Sequence, residues 1–315
     1  MYDLIIIGGS AAASSAAIYA ARRKLNFKIV TLDTGGEVAL SGEVGNWPGI
    51  ISIQGFELAK KFNEHVKSYG VEIDDGWKVE KITSVKKHYL LTAANGAGET
   101  KEIETKSVII ATGIHPRRLG VPGEKELDRK GITYCTVCDG PLFKNKTTVT
   151  VGSGNSALES ALMMAGIAKK VYVLSKFPNT PEQNGGFPKG ENILIEKLKA
   201  LPNVEIIYEA VTTAITGTDR VAAIKYKTGK DQEQELAAEG VMVHIGQIPN
   251  SQFADKVKKN KMGEIMIDEK CRTSMRGIFA AGDVTDVAYK QIGIAAGQGI
   301  IAALATIEYI NMWKE

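Results

Sequence analysis

Two stretches of this chain share one pattern, and that pattern restricts the fold more than anything else in it. Residues 4–7 form a short apolar run that closes on Gly8-Gly9. Residues 11–24 follow, rich in Ala and free of Pro and Gly, so they are expected to be helical. Residues 28–32 are a second β-rich run, ending at Asp33. The pattern returns at Gly152, 144 positions after Gly8. There residues 149–151 run into Gly152-Ser153-Gly154, a helical stretch spans about 156–165, and residues 171–174 form the next apolar run. A strand–turn–helix–strand unit of this kind builds parallel sheet. Two copies predict an α/β fold with two Rossmann-like dinucleotide-binding domains, a duplication of fold rather than a short repeat.

Length agrees, since 315 residues is roughly two domains at about 150 residues each. Residues 108–113 (Val-Ile-Ile-Ala-Thr-Gly) and 241–246 (Val-Met-Val-His-Ile-Gly) are apolar strands that close on a small-residue turn. Residues 277–283 form a third such strand and end in Gly282-Asp283, ahead of a Gly- and Ala-rich helix over about 292–310. The expected organisation is a first domain made of 1–114 and 246–315, with 115–245 inserted into it. Pro116 and Pro249 lie just beyond those boundaries, as linker residues often do.

Composition narrows the function classes. Lys plus Arg total 39 and Asp plus Glu 36, a net charge of +3, which gives no reason to expect a nucleic-acid partner. Hydrophobic residues at 44% and charged residues at 24% are ordinary for a soluble globular protein. The longest apolar run near the end, 299–304, is far short of the roughly 20 residues of a bilayer span, so no membrane segment is expected. The start lacks a positive region and reads as a buried strand, not a signal peptide. Three cysteines make no secreted disulfide framework, so a reducing cytoplasm is expected.

A dinucleotide turn needs small residues at three places: for the tight turn, for the approach of the pyrophosphate, and for helix–strand packing. The phosphates then sit on the helix N-terminus. The first copy has Gly8, Ser10 and Ala13 there, with Asp33 at the distance that suits a ribose hydroxyl. Ser10 puts a Cβ at the approach position. The second copy has Gly152, Gly154 and Ala157, a cleaner match. Its following strand ends in Leu174-Ser175-Lys176-Phe177, with no acid for a 2′-hydroxyl and no arginine cluster for a 2′-phosphate. Lys176 is the nearby cation.

Between the turns lies Tyr134-Cys135-Thr136-Val137-Cys138-Asp139-Gly140. Cys-x-x-Cys spacing suits a redox disulfide. Asp139 adjoins it as a candidate acid or base for thiolate chemistry. A zinc half-site and two inert thiols are the other readings of the pair. Zinc needs two more ligands, normally a second close pair, and neither Cys271 nor the histidines at 65, 88, 115 and 244 form one. No metal is therefore expected, and Cys271 reads as a plain thiol.

Two dinucleotide turns with Cys-x-x-Cys-Asp-Gly between them resemble the low-molecular-weight thioredoxin reductases, class II flavin-dependent pyridine nucleotide-disulfide oxidoreductases. The likeness runs from Asp3 to about Tyr309. Gly35-Gly36-Glu37 with Gly45-Asn46-Trp47-Pro48-Gly49 resembles the flavin-side loop of that family. Ala111-Thr112-Gly113 resembles its crossover strand, and Ala281-Gly282-Asp283-Val284 with Lys290-Gln291-Ile292 its C-terminal flavin segment. The resemblance implies that Gly8, Gly9, Ser10, Ala11, Ala12, Ala13 and Asp33 hold the ADP half of FAD. Gly35, Gly36, Glu37, Asn46, Ala111, Thr112, Gly113, Gly282, Asp283, Lys290, Gln291 and Ile292 would line the rest of it. Gly152, Gly154, Asn155, Ser156 and Ala157, with Lys176, would hold a nicotinamide nucleotide. Cys138 would face the flavin, Cys135 would exchange with thioredoxin or a thioredoxin-like protein, and Asp139 would supply the proton. A homodimer is implied, as are hinges at the two crossovers.

The chain departs from the family where a His-Arg-Arg-x-x-x-Arg stretch usually reads the NADPH 2′-phosphate. Here Ser175-Lys176-Phe177 begins that stretch. Losing two charge-assisted hydrogen bonds costs about 3–6 kcal/mol, or on the order of 10²–10⁴ in affinity. The donor is left open among NADPH, NADH and reduced ferredoxin. Glu37 stands where Gln is usual, and Lys290 where Arg is usual. Two rival functions use the same residues: a dithiol oxidase running the electrons to oxygen, and a flavin-binding sensor or electron-transfer partner without turnover.

Overall fold

The computed structural model describes residues 1–41, 43–229 and 233–313. The chain divides into two compact units, Met1–His115 with Ile248–Glu315, and Pro116–Gln247. The second is inserted in the first. The expected linker prolines sit in short strands, not loose loops. Ile114–Pro116 and Gln247–Pro249 pair with each other as a two-stranded sheet.

The first unit is built on a seven-stranded sheet. Its path runs Glu72–Asp75, Phe27–Thr31, Tyr2–Ile7, Thr100–Ile110, His88–Asn95, Trp77–Val85. The strand Thr100–Ile110 is long enough to serve two partners in turn along one edge. Its first half pairs antiparallel with His88–Asn95, and its last residues pair in parallel with Ile278–Ala280. On the other edge it runs parallel to Tyr2–Ile7, with Ile7 opposite Ile110. Ile5, Ile6, Ile109 and Ile110 are fully buried, as a parallel sheet covered on both faces requires.

Helix Ala11–Arg22 packs on the C-terminal helix Ile292–Asn311 through small residues. A Cβ on Gly299 would fall closer to the Ala12 carbonyl oxygen than any real Cβ comes, so only glycine lets the two helices meet there. Among the described residues, this 20-residue C-terminal helix is the one long and apolar enough to cross a membrane by length and composition. The expectation of no such segment rested on uninterrupted apolar runs, and Gly, Gln and Thr break this helix into short ones. Its Ala and Gly face buries against the first helix within the unit.

The second unit repeats the scheme. Five strands lie in the order Ile132–Thr133, Gly240–Val243, Thr147–Val151, Lys170–Leu174, Val204–Ile207, each parallel to its neighbours. A three-stranded antiparallel sheet, Val211–Gly217, Val221–Lys227 and Glu233–Ala237, accompanies them. Helix Asn155–Ala165 follows the second glycine turn.

Candidate active site

In the first unit, Gly8 has φ +121, and a Cβ there would collide with the Ala111 carbonyl. Ala111 itself donates its N–H to Ile7 O at 2.8 Å, which fixes the crossover strand against the turn. Ser10 is the extended residue ahead of the helix, and its hydroxyl makes no capping hydrogen bond. Ala11, Ala12 and Ala13 form the buried first turn. The helix N–H groups therefore face outward without a side-chain cap, a ready anion seat. Gly9 lies against Thr31, whose hydroxyl donates to Asp33 O at 2.6 Å, and the Asp33 side chain is exposed.

The remaining predicted residues of this unit gather in two groups. Gly35 (φ +110) and Gly36 (φ +52) start the short helix Gly36–Leu40, with the would-be Cβ of Gly36 3.4 Å from Ser10 Cβ. Trp47 stacks edge-on against Phe62 at 5.1 Å and so anchors the neighbouring Asn46, which donates to Gln291 Oε1 at 3.1 Å. Gln291 is the residue ahead of the C-terminal helix, and Ile292 its first. Gly282 (φ +79) packs on Ala12 and is held by Gln298 Oε1 at 2.8 Å. Lys290 is engaged within the unit: it pairs with Glu264 at 2.9 Å and donates to the Thr285 carbonyl.

Three carboxylates bear on this region. Burial holds Asp283 above its ordinary range, against the pull of Lys290. Glu37 is raised first by desolvation, then by Asp33 and Asp283, while His115 opposes the shift. The Thr112–Gly113 turn is fixed by a residue that the sequence pattern does not single out. Asn250 accepts from the Thr112 hydroxyl through its carbonyl, donates its amide to Thr112 O at 2.9 Å, and meets His115 Nδ1. Its signal was the Pro249-Asn250 pair after the second crossover.

FAD fits these residues. The helix start is uncapped by any side chain, and Asp33 is exposed at the end of the second strand. The Asp283 carboxylate is half-buried without a hydrogen-bond partner among the described residues, so it is free to accept from ligand hydroxyls.

In the second unit, Gly152 (φ +149) meets the carbonyl of His244 as Gly8 meets that of Ala111. Gly154 is extended, and nothing lies within 4 Å of its would-be Cβ, so the phosphate approach is open. Ala157 is buried against Gly152, and Ser156 is exposed. Asn155 is spent on Glu191, donating to its carboxylate at 2.7 Å and accepting from its N–H at 2.8 Å. Ser175 is fully buried, with its hydroxyl bonded to the Gly186 carbonyl. Lys176 is exposed over the Phe177 ring at 5.2 Å. The ribose-reading position is thus used for folding the 177–190 loop.

The cysteine turn lies in this unit. Cys135 is disulfide-bonded and Cys271 is free and buried, its thiol pushed up to about 12 by burial. Thr136–Asp139 is a single helical turn, and the side chain of Cys138 lies outside the described residues. Asp139 accepts from the Thr133 hydroxyl, and Thr133 Oγ1 accepts from the Cys135 N–H at 3.0 Å. The Asp139 N–H donates to Cys135 O at 3.1 Å, closing the turn. Ahead of it, Tyr134 donates to Glu124 at 2.6 Å, and Arg118 lies over the Tyr134 ring at 4.0 Å. Glu124 is buried and also accepts from Leu119 and Gly120 N–H, both at 2.7 Å. Burial and that carboxylate raise the Tyr134 phenol. Sequence spacing held no sign of this brace.

Together these features define a doubled dinucleotide-binding α/β protein with a Cys-x-x-Cys turn on its inserted unit. Residues 2–299 match the family described as pyridine nucleotide-disulphide oxidoreductase, and the chain belongs to that family. The family is FAD-dependent and works with NAD(P)H.

Among curated relatives, the chain is 38% identical over 313 residues to a NADH dehydrogenase of Bacillus subtilis (strain 168). It is 36% identical over 322 residues to the F component of alkyl hydroperoxide reductase from Escherichia coli (strain K12). These matches take in 98% and 99% of this chain but only 58% and 59% of those proteins, so the chain spans well under two thirds of their length. Solved structures match end to end. Thioredoxin reductase of Lactococcus lactis has a TM-score of 0.80 at 30% identity, covering 99% of this chain and 100% of that one. That of T. acidophilum has 0.76 at 36%, covering 98% of each. A ferredoxin-flavin thioredoxin reductase of Clostridium acetobutylicum has 0.53 at 27%, covering 99% of each.

Proposed function

We propose that this protein is a flavin-dependent thioredoxin-disulfide reductase, passing electrons through FAD and the Cys135–Cys138 pair to thioredoxin or a thioredoxin-like protein. The observation that carries the reading is the Cys135 turn: a disulfide-bonded cysteine beside a carboxylate, on the inserted unit of this family's fold. The donor is NADPH, NADH or another low-potential carrier such as reduced ferredoxin. The buried Ser175 supports the non-selective end of that range. The reading includes a cytoplasmic setting, from the low cysteine count, and a homodimer, from the resemblance.

FAD, when bound, supplies the two-electron step between donor and disulfide. Gly8 to Ala13 and Asp33 anchor its ADP half, and Asp283 and Asn46 orient the remainder. In the dithiol state the Cys135 thiolate attacks one sulfur of the partner disulfide. A Cys135–partner bond forms, the partner S–S bond breaks, and the departing sulfur takes a proton. On this reading Asp139, which accepts from the Thr133 hydroxyl, delivers it. The Cys138 thiolate then attacks Cys135, which restores the internal disulfide and expels the second partner sulfur as a thiolate; a proton from solvent completes the partner dithiol. Two electrons have moved to the partner. Thioredoxin lies near −270 mV, so the donor must be at least about that reducing.

The test is anaerobic turnover of thioredoxin with each donor in turn. The reading expects dithiol formation with at least one donor and its loss in Cys138→Ser. Full turnover in that variant overturns it.

A further inference from the structure

The end of the strand Gly240–Val243 carries a group that this mechanism does not use. That strand pairs in parallel with Ile132–Thr133, with Thr133 opposite Met242. The imidazole Nε2 of His244 lies 2.8 Å from Thr136 Oγ1, and Thr136 Oγ1 lies 2.6 Å from Ser160 Oγ on the helix after the glycine turn. Thr136 and Ser160 are both buried. The His244 N–H bonds to Val151 O at 2.8 Å, and its carbonyl abuts Gly152. Ala111 makes the same main-chain bond beside Gly8, yet a methyl group stands there. The second unit has a hydrogen-bonding ring where the first has none, and that ring reaches the redox turn.

Burial keeps the ring neutral, its pKa lowered to about 4. A neutral imidazole offers one donor and one acceptor. Thr136 has a single hydroxyl proton for two neighbours, so it donates to one and accepts from the other. The chain Ser160–Thr136–His244 is satisfied at Thr136 only while both neighbours are present.

We propose that His244 is a positioning residue for the redox centre, acting through Thr136 to fix the turn that carries Cys135. The proposal rests on the disulfide-reductase reading above. A disulfide tolerates only a narrow range of Cα separation and Cβ direction. A strut from the half-buried His244 to the buried Thr136, next to Cys135, therefore favours the bonded state over the open dithiol. Removing the ring leaves a buried hydroxyl short of a partner, and the turn moves to recover one.

The test uses the FAD-loaded protein and measures the equilibrium of its disulfide against a graded dithiol–disulfide buffer. His244→Phe keeps an aromatic ring and removes the hydrogen bond. It is expected to shift the equilibrium about tenfold toward the dithiol, about 30 mV less negative for a two-electron couple. Flavin content stays at the wild-type level, and His244→Gln, which restores a hydrogen-bonding group, returns most of the shift. Thr136→Val removes the same contact together with the one to Ser160, and decides the matter if His244→Phe does not fold. The double variant shifts no further than Thr136→Val alone, because that substitution already deletes the His244 contact along with the one to Ser160. The proposal is overturned if His244→Phe or Thr136→Val folds with the wild-type potential, or if His244→Gln shifts as far as His244→Phe. Failure of the underlying reading shows elsewhere: Cys135→Ser would then turn thioredoxin over at the wild-type rate.

Discussion

The two glycine turns begin from one pattern and end in different surroundings. Each has a strand residue donating back to the sheet, a left-handed glycine and a helix start behind it. At the first, the next strand ends at an exposed Asp33, and two further carboxylates, Glu37 and Asp283, sit above their ordinary range nearby. At the second, the matching strand ends at a buried serine whose hydroxyl is consumed by its own loop. The residue closing the turn also differs, Ala111 against His244. A glycine turn provides a phosphate seat. Which nucleotide sits there, and how firmly, is set by side chains from other strands. The first turn has carboxylates around it, whereas at the second a serine is bonded to its own loop and a histidine is linked to the cysteine turn.

The largest effect separates the turns by substitution. Gly8→Ala places a methyl on the Ala111 carbonyl at a φ that disfavours side chains, a backbone cost of about 1–3 kcal/mol before the clash is counted. The variant is expected to purify without flavin absorbance. Gly152→Ala meets His244 in the same way but is expected to keep its flavin. Loss of flavin from both would break the comparison.

Acid sharpens the contrast between Ala111 and His244. The unfolded imidazole protonates near its ordinary 6.5, the folded one only near 4. Between those values the unfolded chain binds the extra proton, so stability declines as pH falls from about 6.5 to 4. The total is about 3 kcal/mol, at 1.36 kcal/mol per unit. Above 6.5 this contribution is flat. Denaturation midpoints across that range are expected to show the slope, and His244→Gln to remove this part of it.

A smaller effect separates the ribose ends. Asp33→Asn is expected to weaken flavin binding by about 1.5–3 kcal/mol, the value of a charge-assisted hydrogen bond, as read by flavin dissociation. Lys176→Ala removes an exposed cation and is expected to change the response to NADPH by less than about 1 kcal/mol. A large loss there would mean that Lys176 reads a phosphate after all.

Much of the fold was legible because local pattern and topology agree in this class. Apolar runs, glycine turns and alanine-rich helices lead to strands, turns and helices in both units, but the strand read at 108–113 begins at Thr100 and ends at Ile110, and the one read at 277–283 is only Ile278–Ala280. The site was legible only where chemistry follows the chain, as in Cys135-Thr136-Val137-Cys138-Asp139. Thr136 and His244 are 108 positions apart, and Thr112 and Asn250 are 138 apart. Contacts of that kind depend on strand order, which spacing does not show. The pattern marks Ser175 only as the place where a ribose or 2′-phosphate reader is missing, and nothing local shows that its hydroxyl bonds to the loop that follows.

The central claim is that flavin and the Cys135 disulfide form one electron path. Anaerobic reductive titration of the flavin-loaded protein tests it directly, because each centre takes two electrons. The account predicts uptake of about four electrons per chain, falling to about two in Cys135→Ser. Uptake of about two by the wild-type protein, with Cys135→Ser unchanged, would contradict it.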